Sequence, residues 1–462
     1  MKVDPVRLSA LDILIAVDGG GALDPELSRV LDRLPEPRDR GFLAELVRGT
    51  LQWQGRYDHL IAQFVRKKPP SDKATRCLLR LSLHQMLGMD SVPPYAAIHQ
   101  AGELCRRKPG PRKVPFINGL LQSVRREVLG KEPAQPDGPA DLENRLRAYF
   151  EKPGDDPARG LAAWQSHPLW LVRRWIANFG FDRAESICAW NNRAVPVVFH
   201  VLAPADPDLG VELLAESGCR VKPGPVPRSL VAAERISRRR LEEIMARFPW
   251  LIVQDPTVQE ATSWLLGEVA DRTENRDIPV LDMCAAPGGK TAFLSSRWPK
   301  GGRVVAMDNR RDRVRLLEST VKRIEADRVD VLLAEGTRAP FRPDSFGAVL
   351  LDGPCSGTGV LRHHPDGRWR LKIGLPAKKG AFLAKLADRA ADLVKPGGLL
   401  MYATCSLEPE ENGMVVEDLL ARRGDLEPAP DTEGRWRRLW LPGDSSGTRG
   451  DGFFAARLRK KD

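Results

Sequence analysis

Residues 280–291 have the sequence Val280-Leu281-Asp282-Met283-Cys284-Ala285-Ala286-Pro287-Gly288-Gly289-Lys290-Thr291, a short apolar run followed by a loop of small residues. A helical stretch beginning Ala292-Phe293-Leu294 comes next. Small residues let the backbone approach a ligand closely, and the start of a helix offers free N–H groups. We therefore expect a buried strand, a ligand-binding turn and a helix in this order.

Three more apolar runs follow in the C-terminal half, separated by helical stretches: residues 304–308, 348–352 and 399–402. Fully apolar strands that alternate with helices are typical of a parallel sheet covered on both faces. The sequence thus predicts a doubly wound α/β domain over residues 251–462. Ligands of such sheets bind at the carboxyl ends of the strands.

The N-terminal part has a different pattern. Leu43, Val47 and Leu51 recur at helical spacing, and similar patterns run through residues 1–130, which we predict to be an all-α domain. A loop rich in proline, glycine and charge, residues 129–139, breaks the periodicity. Residues 145–250 combine a helical stretch at 170–179 with a strand-like run at 197–202, so we expect an α+β connector there.

Composition limits the class of protein. The chain has 462 residues, enough for two or three domains, and 72 Lys+Arg against 61 Asp+Glu give a net charge of +11. Such a balance suits a polyanionic partner such as nucleic acid, although a merely basic enzyme is the alternative. The seven cysteines include no C-x-x-C pair, and no signal peptide or membrane span is recognisable. We expect a cytoplasmic monomer without a metal or membrane partner.

The loop after residue 282 predicts a site for a nucleoside-bearing cofactor. The second strand ends in Asp308, where a carboxylate can accept hydrogen bonds from ribose hydroxyls, although a helix cap is the alternative role. A phosphate-binding P-loop would need glycine at position 284, where this chain has Cys284. The G-x-G-x-x-G spacing of dinucleotide sites is also missing.

Two cysteines follow neighbouring apolar runs. Cys355 lies in Asp352-Gly353-Pro354-Cys355-Ser356, and Cys405 lies in Thr404-Cys405-Ser406. A lone cysteine is usually a buried packing residue, but these two have small or polar neighbours at strand ends. Both are therefore expected at the edge of the sheet where the cofactor binds.

A pair of cysteines suits methylation of carbon 5 of cytosine. That carbon becomes nucleophilic only after a thiolate has added to carbon 6, and a second group must then assist removal of the carbon 5 proton. Asp352 is a candidate to hold the N3 and amino edge of the base, and Lys290 could serve the same pocket. The alternatives are a turn-forming aspartate and a solvated lysine.

These motifs resemble the signatures of the Sun family of RNA 5-methylcytosine methyltransferases. The resemblance implies a Rossmann-like S-adenosylmethionine-dependent methyltransferase domain, with Cys405 as the nucleophile and Cys355 as the cysteine that assists release. It also implies cofactor contacts from ten residues: Cys284, Ala285, Ala286, Pro287, Gly288, Gly289, Lys290, Asp308, Arg313 and Asp352.

Residues 92–97 and 116–121 resemble the helical NusB-like RNA-binding domain of one branch of that family, which methylates 16S ribosomal RNA of the small subunit. One departure concerns the turn after the third strand, where the family usually has aspartate and this chain has Glu335. We carry Glu335 as a cofactor-binding candidate. A transfer RNA methyltransferase of the same chemistry and a noncatalytic RNA-binding assembly factor stay open as alternatives, the latter disfavoured by the presence of both cysteines.

Overall fold

The computed structural model describes residues 3–65, 68–130, 139–150, 156–267, 278–299, 301–443 and 450–462. They form two compact units. The first comprises Met1–Asn192 with Arg362–Leu371, and the second comprises Arg193–Leu361 with Lys372–Asp462. Residues 131–138, which make up most of the predicted boundary loop, lie outside the described residues.

The first unit is helical, as predicted. Its helices are α1 (Pro5–Asp18), α2 (Leu23–Leu31), α3 (Pro37–Gln52), α4 (Gln54–Phe64), α5 (Lys73–Leu87), α6 (Pro94–Arg107), α7 (Val114–Val124), α8 (Pro139–Arg147), α9 (Pro157–Trp164), α10 (Leu169–Phe179) and α11 (Phe181–Trp190). Asp4 and Asp72 cap α1 and α5 by accepting backbone N–H bonds, which satisfies donors that a helix start leaves free. Helix α5 is buried from Cys77 to Met86 and forms the centre of this unit.

A segment from the middle of the chain completes the first unit. Residues 362–371 include a short helix, Gly367–Arg370, whose Arg368 is fully buried. Its guanidinium donates to the carbonyl oxygens of Ser166 and Asn191 at 3.1 and 2.9 Å and to Asn192 Oδ1 at 2.8 Å. The indole of Trp369 donates to the Leu51 carbonyl at 3.0 Å. These bonds anchor the segment among the helices.

The second unit begins with a small antiparallel sheet of β1 (Val198–Val201), β2 (Val221–Pro223), β3 (Ser229–Ala232) and β4 (Leu251–Val253), in the order β2-β3-β1-β4. Helices α12 (Pro207–Glu216) and α13 (Arg238–Arg247) pack against it. The predicted connector, residues 145–250, is therefore divided, because α9 to α11 belong to the first unit and this sheet to the second. The predicted three-domain division stays a prediction.

The large sheet carries the predicted apolar runs. Its strands are β5 (Val280–Asp282), β6 (Val304–Asp308), β7 (Val329–Leu333), β8 (Phe346–Asp352), β9 (Val394–Thr404), β10 (Leu426–Pro428), β11 (Arg437–Trp440) and β12 (Phe453–Lys460). The order is β10-β12-β9-β8-β5-β6-β7, with β11 paired to β12, and the five strands from β9 to β7 are parallel. The antiparallel edge made by β10, β11 and β12 was not predicted.

Helices cover both faces of the parallel strands, which confirms the predicted α/β class. The helices of this part are α14 (Pro256–Leu266), α15 (Gly289–Arg297), α16 (Arg311–Arg323), α17 (Leu375–Leu393) and α18 (Gly413–Arg422). Leu383, Leu386 and Ala390 of α17 pack on one face, whereas Phe293 and Leu294 of α15 pack on the other. Strands β6 and β7 lie on one side of β5, and β8 and β9 lie on the other, so the strand order reverses at β5. Ligands of such sheets bind at this switch point.

Strand β9 is irregular near its start. Residues 395–398 lie inside it, and the pairing with β8 shifts register between Phe346 and Ala348. Among the helices of the described residues, none is both long and apolar enough to cross a lipid bilayer.

Candidate active site

The loop between β5 and α15 is built for close backbone approach. Gly288 has a φ of 107°, and a side chain there would approach Leu317 and Thr320 of α16 to 3.0 Å. The Thr320 hydroxyl donates to the Pro287 carbonyl oxygen at 2.7 Å. Glycine is therefore required at position 288, and the loop is held against α16.

Asp282, the last residue of β5, is a site residue that the sequence analysis missed. Its side chain is fully buried, and its Oδ2 accepts a hydrogen bond from Thr291 Oγ1 at 2.7 Å. Its Oδ1 is buried and has no hydrogen-bond partner among the described residues. Burial raises the pKa of Asp282 to about 7, and the nearby carboxylates of Asp352 and Asp308 add to the shift. An acceptor without a partner here suits a ligand that brings a donor.

Asp308, the predicted ribose-binding residue, ends β6. Asp308 is almost fully buried, its Oδ1 accepts the Arg310 N–H at 3.1 Å, and its Oδ2 lies 3.5 Å from an Arg313 nitrogen. Arg313 also donates to the Ala286 carbonyl oxygen at 3.2 Å. The structure thus brings Asp308 and Arg313 to the glycine-containing loop.

Glu335 caps the 3-10 helix Gly336–Arg338 and is exposed. Its carboxylate accepts from Asn309 Nδ2 at 2.9 Å, and that hydrogen bond lowers the pKa of Glu335. Asn309 directly follows Asp308, so Glu335 and Asp308 lie at neighbouring strand ends. Its role towards a cofactor stays a prediction.

Lys290 and Asp352 form an ion pair, with Lys290 Nζ 2.6 Å from Asp352 Oδ2. Burial lowers the pKa of Lys290, but the Asp352 carboxylate outweighs that effect, so the pKa is raised. A negative charge on Cys405 also favours the ammonium form, and the ammonium lies 5.2 Å from the centre of the Phe453 ring. Lys290 is therefore a partly buried cation that interacts electrostatically with both Asp352 and Cys405, rather than a solvated lysine.

The sulfurs of Cys355 and Cys405 lie 3.2 Å apart. They follow the neighbouring parallel strands β8 and β9, and the N–H groups of Gly353 and Gly359 donate to the carbonyls of Ala403 and Cys405 at 3.1 and 3.0 Å. The hydrogen bond with Cys405 raises the pKa of Cys355 well above its usual range, and burial raises it further. The pair therefore holds at least one proton at neutral pH.

Glu411 is a second residue that the sequence analysis missed. Its buried carboxylate accepts the Ser356 N–H at 2.6 Å and the Ser356 hydroxyl at 2.5 Å, and it also accepts the Ser406 hydroxyl. Burial raises its pKa, whereas these hydrogen bonds act in the opposite direction. Because Ser356 follows Cys355 and Ser406 follows Cys405, Glu411 fixes the two cysteine loops relative to each other.

Cys284 does not join this pair. It is partly exposed and packs beside the core under α17, and burial raises its pKa. Cys77, Cys105, Cys188 and Cys219 are buried. Of the seven cysteines, the structure brings only Cys355 and Cys405 within hydrogen-bond distance of each other.

Two known protein families match this chain. Residues 269–459 match the family model described as 16S rRNA methyltransferase RsmB/F, and residues 4–126 match the NusB family. A Bacillus subtilis protein described as probable ribosomal RNA small subunit methyltransferase B is 30% identical, and the alignment covers 100% of both chains. The chain belongs to the ribosomal RNA small subunit methyltransferase B family.

Other members and a solved structure agree with this. The ribosomal RNA small subunit methyltransferase B of Xanthomonas campestris is 32% identical, with 98% of this chain and 97% of that protein covered. The crystal structure of the protein PH0851 covers 100% of both chains with a TM-score of 0.72 at 22% identity, which supports the fold. The predicted family, the NusB-like domain and the methyltransferase class are confirmed.

Proposed function

We propose that this chain transfers a methyl group from S-adenosylmethionine to carbon 5 of a cytosine in small-subunit ribosomal RNA, with Cys405 as the nucleophile. The substrate follows from the names of its relatives, which are ribosomal RNA small subunit methyltransferases. The observation that carries the chemistry is the 3.2 Å separation of the Cys355 and Cys405 sulfurs at the carboxyl edge of the sheet.

The first step is addition of the Cys405 thiolate to carbon 6. A sulfur–carbon bond forms, and the electrons of the carbon 5–carbon 6 double bond move into the ring, which makes carbon 5 nucleophilic. The Lys290 ammonium and a negative charge on Cys405 attract each other. A neutral thiol would be a far weaker nucleophile.

Lys290 and Asp352 are suited to hold the base during this step. The Asp352 carboxylate can accept from the amino group of cytosine, while the Lys290 ammonium can donate to a ring acceptor on which negative charge develops. Asp352 uses Oδ2 for Lys290, which leaves Oδ1 for the base. The ion pair therefore offers a donor and an acceptor side by side.

Release requires that the carbon 5 proton leave while the sulfur–carbon bond breaks. Once Cys405 is bonded to carbon 6 it carries no charge, so the largest cause of the raised pKa of Cys355 disappears. Cys355 can then lose its proton to solvent, accept the carbon 5 proton as a thiolate, and restore the pair as Cys405 departs. The pair begins and ends the cycle with one proton, and one proton goes to solvent.

The residues around β5 and β6 fit the methyl donor. S-adenosylmethionine supplies an electrophilic methyl group on a sulfonium. Asp308 and Glu335 offer carboxylates for hydroxyl groups. Asp282 Oδ1, which has no partner within the described ranges, offers a buried acceptor, and Gly288 permits close backbone approach. Those residues bind and orient the methyl donor, whereas the two cysteines carry out the covalent chemistry.

Cysteine variants test the assignment. Cys405→Ser should abolish methyl transfer to small-subunit ribosomal RNA, measured with labelled S-adenosylmethionine. Cys355→Ser should accumulate a protein–RNA adduct that survives a denaturing gel, because attack proceeds but release is blocked. The double variant should form no adduct. Cys219→Ser, in the separate core of the small sheet, is the control.

Full activity of Cys405→Ser would contradict the nucleophile assignment. Bisulfite sequencing of RNA from cells with and without the gene identifies the substrate. Lost protection at a small-subunit ribosomal position supports the proposal, whereas a loss confined to transfer RNA would redirect it.

A further inference from the structure

The sulfurs of Cys355 and Cys405 are close enough to become bonded to each other after a small movement. They lie 3.2 Å apart, whereas the two sulfurs of a disulfide are about 2.0 Å apart, so an approach of about 1.2 Å is needed. Glu411 keeps the two loops adjacent, because its carboxylate accepts the hydroxyls of both Ser356 and Ser406. The fold therefore holds the two thiols ready for a disulfide.

Both thiols can also be reached by a small oxidant. Cys355 and Cys405 are partly exposed. The proposed attack on cytosine uses Cys405 as a thiolate, and the thiolate is also the form of cysteine that reacts with a peroxide. The Lys290 ammonium attracts a negative charge on Cys405. Cys405 is therefore the sulfur that we expect to be oxidised first.

The other five cysteines do not share these properties. Burial raises the pKa of each of them, which disfavours the reactive thiolate: Cys77, Cys105, Cys188, Cys219 and Cys284. Four of the five are buried, and only Cys284 is partly exposed. Mild oxidation should therefore act on the pair formed by Cys355 and Cys405 before it acts on any other cysteine of the chain.

We propose that Cys355 and Cys405 form a reversible disulfide when a peroxide enters the site, and that this bond switches methyl transfer off. In the first step the Cys405 thiolate attacks a peroxide oxygen, the oxygen–oxygen bond breaks and hydroxide leaves, which makes Cys405 a sulfenic acid. In the second step the sulfur of Cys355 attacks the sulfenic sulfur, and its proton leaves with the hydroxyl group as water. The proton that Cys405 gave up converts the hydroxide into a second water. Two thiols are thus oxidised, and one hydrogen peroxide is reduced to two waters.

The disulfide would have two consequences. It occupies both sulfurs, so neither attack on carbon 6 nor release of the product can proceed; this consequence rests on the proposed function. It also stops oxidation at a reversible stage, because a sulfenic acid without a neighbouring thiol is oxidised further to sulfinic acid, which is not reduced back by thiols. Cys355 thus has a second role, which is to protect Cys405.

The experiment is peroxide treatment of the full chain, followed by mass spectrometry without reduction. Remaining thiols are blocked with iodoacetamide under denaturing conditions, and the chain is digested with trypsin. We expect a cross-linked pair of peptides, one with Cys355 and one with Cys405, and a loss of methyl transfer in proportion to the cross-link. Dithiothreitol should remove the cross-link and restore the activity of the untreated chain.

Two variants sharpen this test. In Cys355→Ser the disulfide cannot form, so Cys405 should accumulate as sulfinic acid, seen as a mass gain of two oxygen atoms on its peptide. Cys219→Ser is the matched control, because Cys219 lies in the separate core of the small sheet. This control should form the same cross-link at the same rate as the unaltered chain. Circular dichroism establishes that both variants are folded.

Three results would overturn the proposal. In the unaltered chain, Cys405 could become sulfinic acid while Cys355 stays a free thiol, either sulfur could pair with Cys284 instead, or neither could react under conditions that oxidise glutathione. The cross-link is detected without RNA or a methyl donor. A wrong assignment of the nucleophile would therefore appear in the labelling experiment with Cys405→Ser, and not in this measurement.

Discussion

Asp282 shows how a single residue links stability to the site. Its carboxyl group is fully buried, and its Oδ1 is unpartnered among the described residues. Because its pKa in the folded chain, about 7, lies above the ordinary value of 3.8, the neutral form is the one that the fold favours. That stabilisation is complete below about pH 4 and is lost as the pH rises through 7.

We therefore predict that Asp282→Asn removes this pH dependence. Without ligand, the variant should exceed the wild type in free energy of unfolding at pH 8, by about 4 kcal/mol at most, because each pKa unit corresponds to about 1.4 kcal/mol. Urea unfolding at pH 5 and pH 8 measures this. Asp327→Asn, an exposed aspartate in the same unit, should change neither value. A variant that is less stable than wild type at pH 8 would contradict the prediction.

Some residues of the site could be predicted from the sequence, and others could not. Cys355 and Cys405 could be found because each follows an apolar run and has small or polar neighbours. Asp282 could not, because an aspartate that ends a strand looks like a turn residue until its burial is known. Glu411 lies in the acidic run Glu408-Pro409-Glu410-Glu411, which resembles an exposed loop. Only the folded backbone brings it to Ser356 and Ser406.

At the scale of elements, the two cysteine loops depend on a glycine between them. The Gly359 N–H donates to the Cys405 carbonyl, and the Gly359 carbonyl accepts from the Gly452 N–H at 2.8 Å. A methyl group at position 359 would overlap the Gly452 carbonyl oxygen and lie 2.9 Å from the Cys405 oxygen. No side chain fits there without moving a loop.

Gly359→Ala should therefore separate the two sulfurs. A misplacement of about 1 Å can reduce the rate of a positioned reaction by about 100-fold, and we expect a loss of that order in kcat. Binding of S-adenosylmethionine, measured by calorimetry, should stay near the wild-type value. Gly374→Ala, at a position with no neighbouring atom within 4 Å, is the control. An unchanged kcat in Gly359→Ala would contradict the prediction, because it would show that the two loops accommodate the added methyl group without loss of catalysis.

The strands themselves were the most predictable elements. β5, β6, β8 and the second half of β9 match apolar runs of the sequence, because buried parallel strands need side chains that are apolar on both faces. The edge strand β10 is short and carries Glu427 and Pro428, so it has no apolar run. Its position beside β12 depends on long-range pairing, which local periodicity does not report.

At the scale of the whole molecule, residues that are continuous in sequence do not always belong to the same compact unit. Residues 362–371 lie between β8 and α17 in sequence, yet they belong to the helical unit. Arg368 explains this, since it is fully buried and donates to Ser166, Asn191 and Asn192. A pattern of apolar residues cannot predict to which unit a segment belongs when a buried arginine holds the segment in place.

Arg368→Met tests whether this segment stabilises the helical unit. The change preserves much of the apolar stem but leaves two buried carbonyl oxygens and the partly buried Asn192 Oδ1 without a donor. Each buried acceptor left without a donor costs about 1–3 kcal/mol. We expect a loss of about 3 kcal/mol or more in local stability, seen as roughly 100-fold faster hydrogen exchange in α9, α10 and α11. Arg48→Met, which removes an exposed arginine paired with the exposed Asp24 in the same unit, should have little effect. Equal protection in both variants would mean that Ser166, Asn191 and Asn192 find other donors, so that the helices do not depend on the inserted segment.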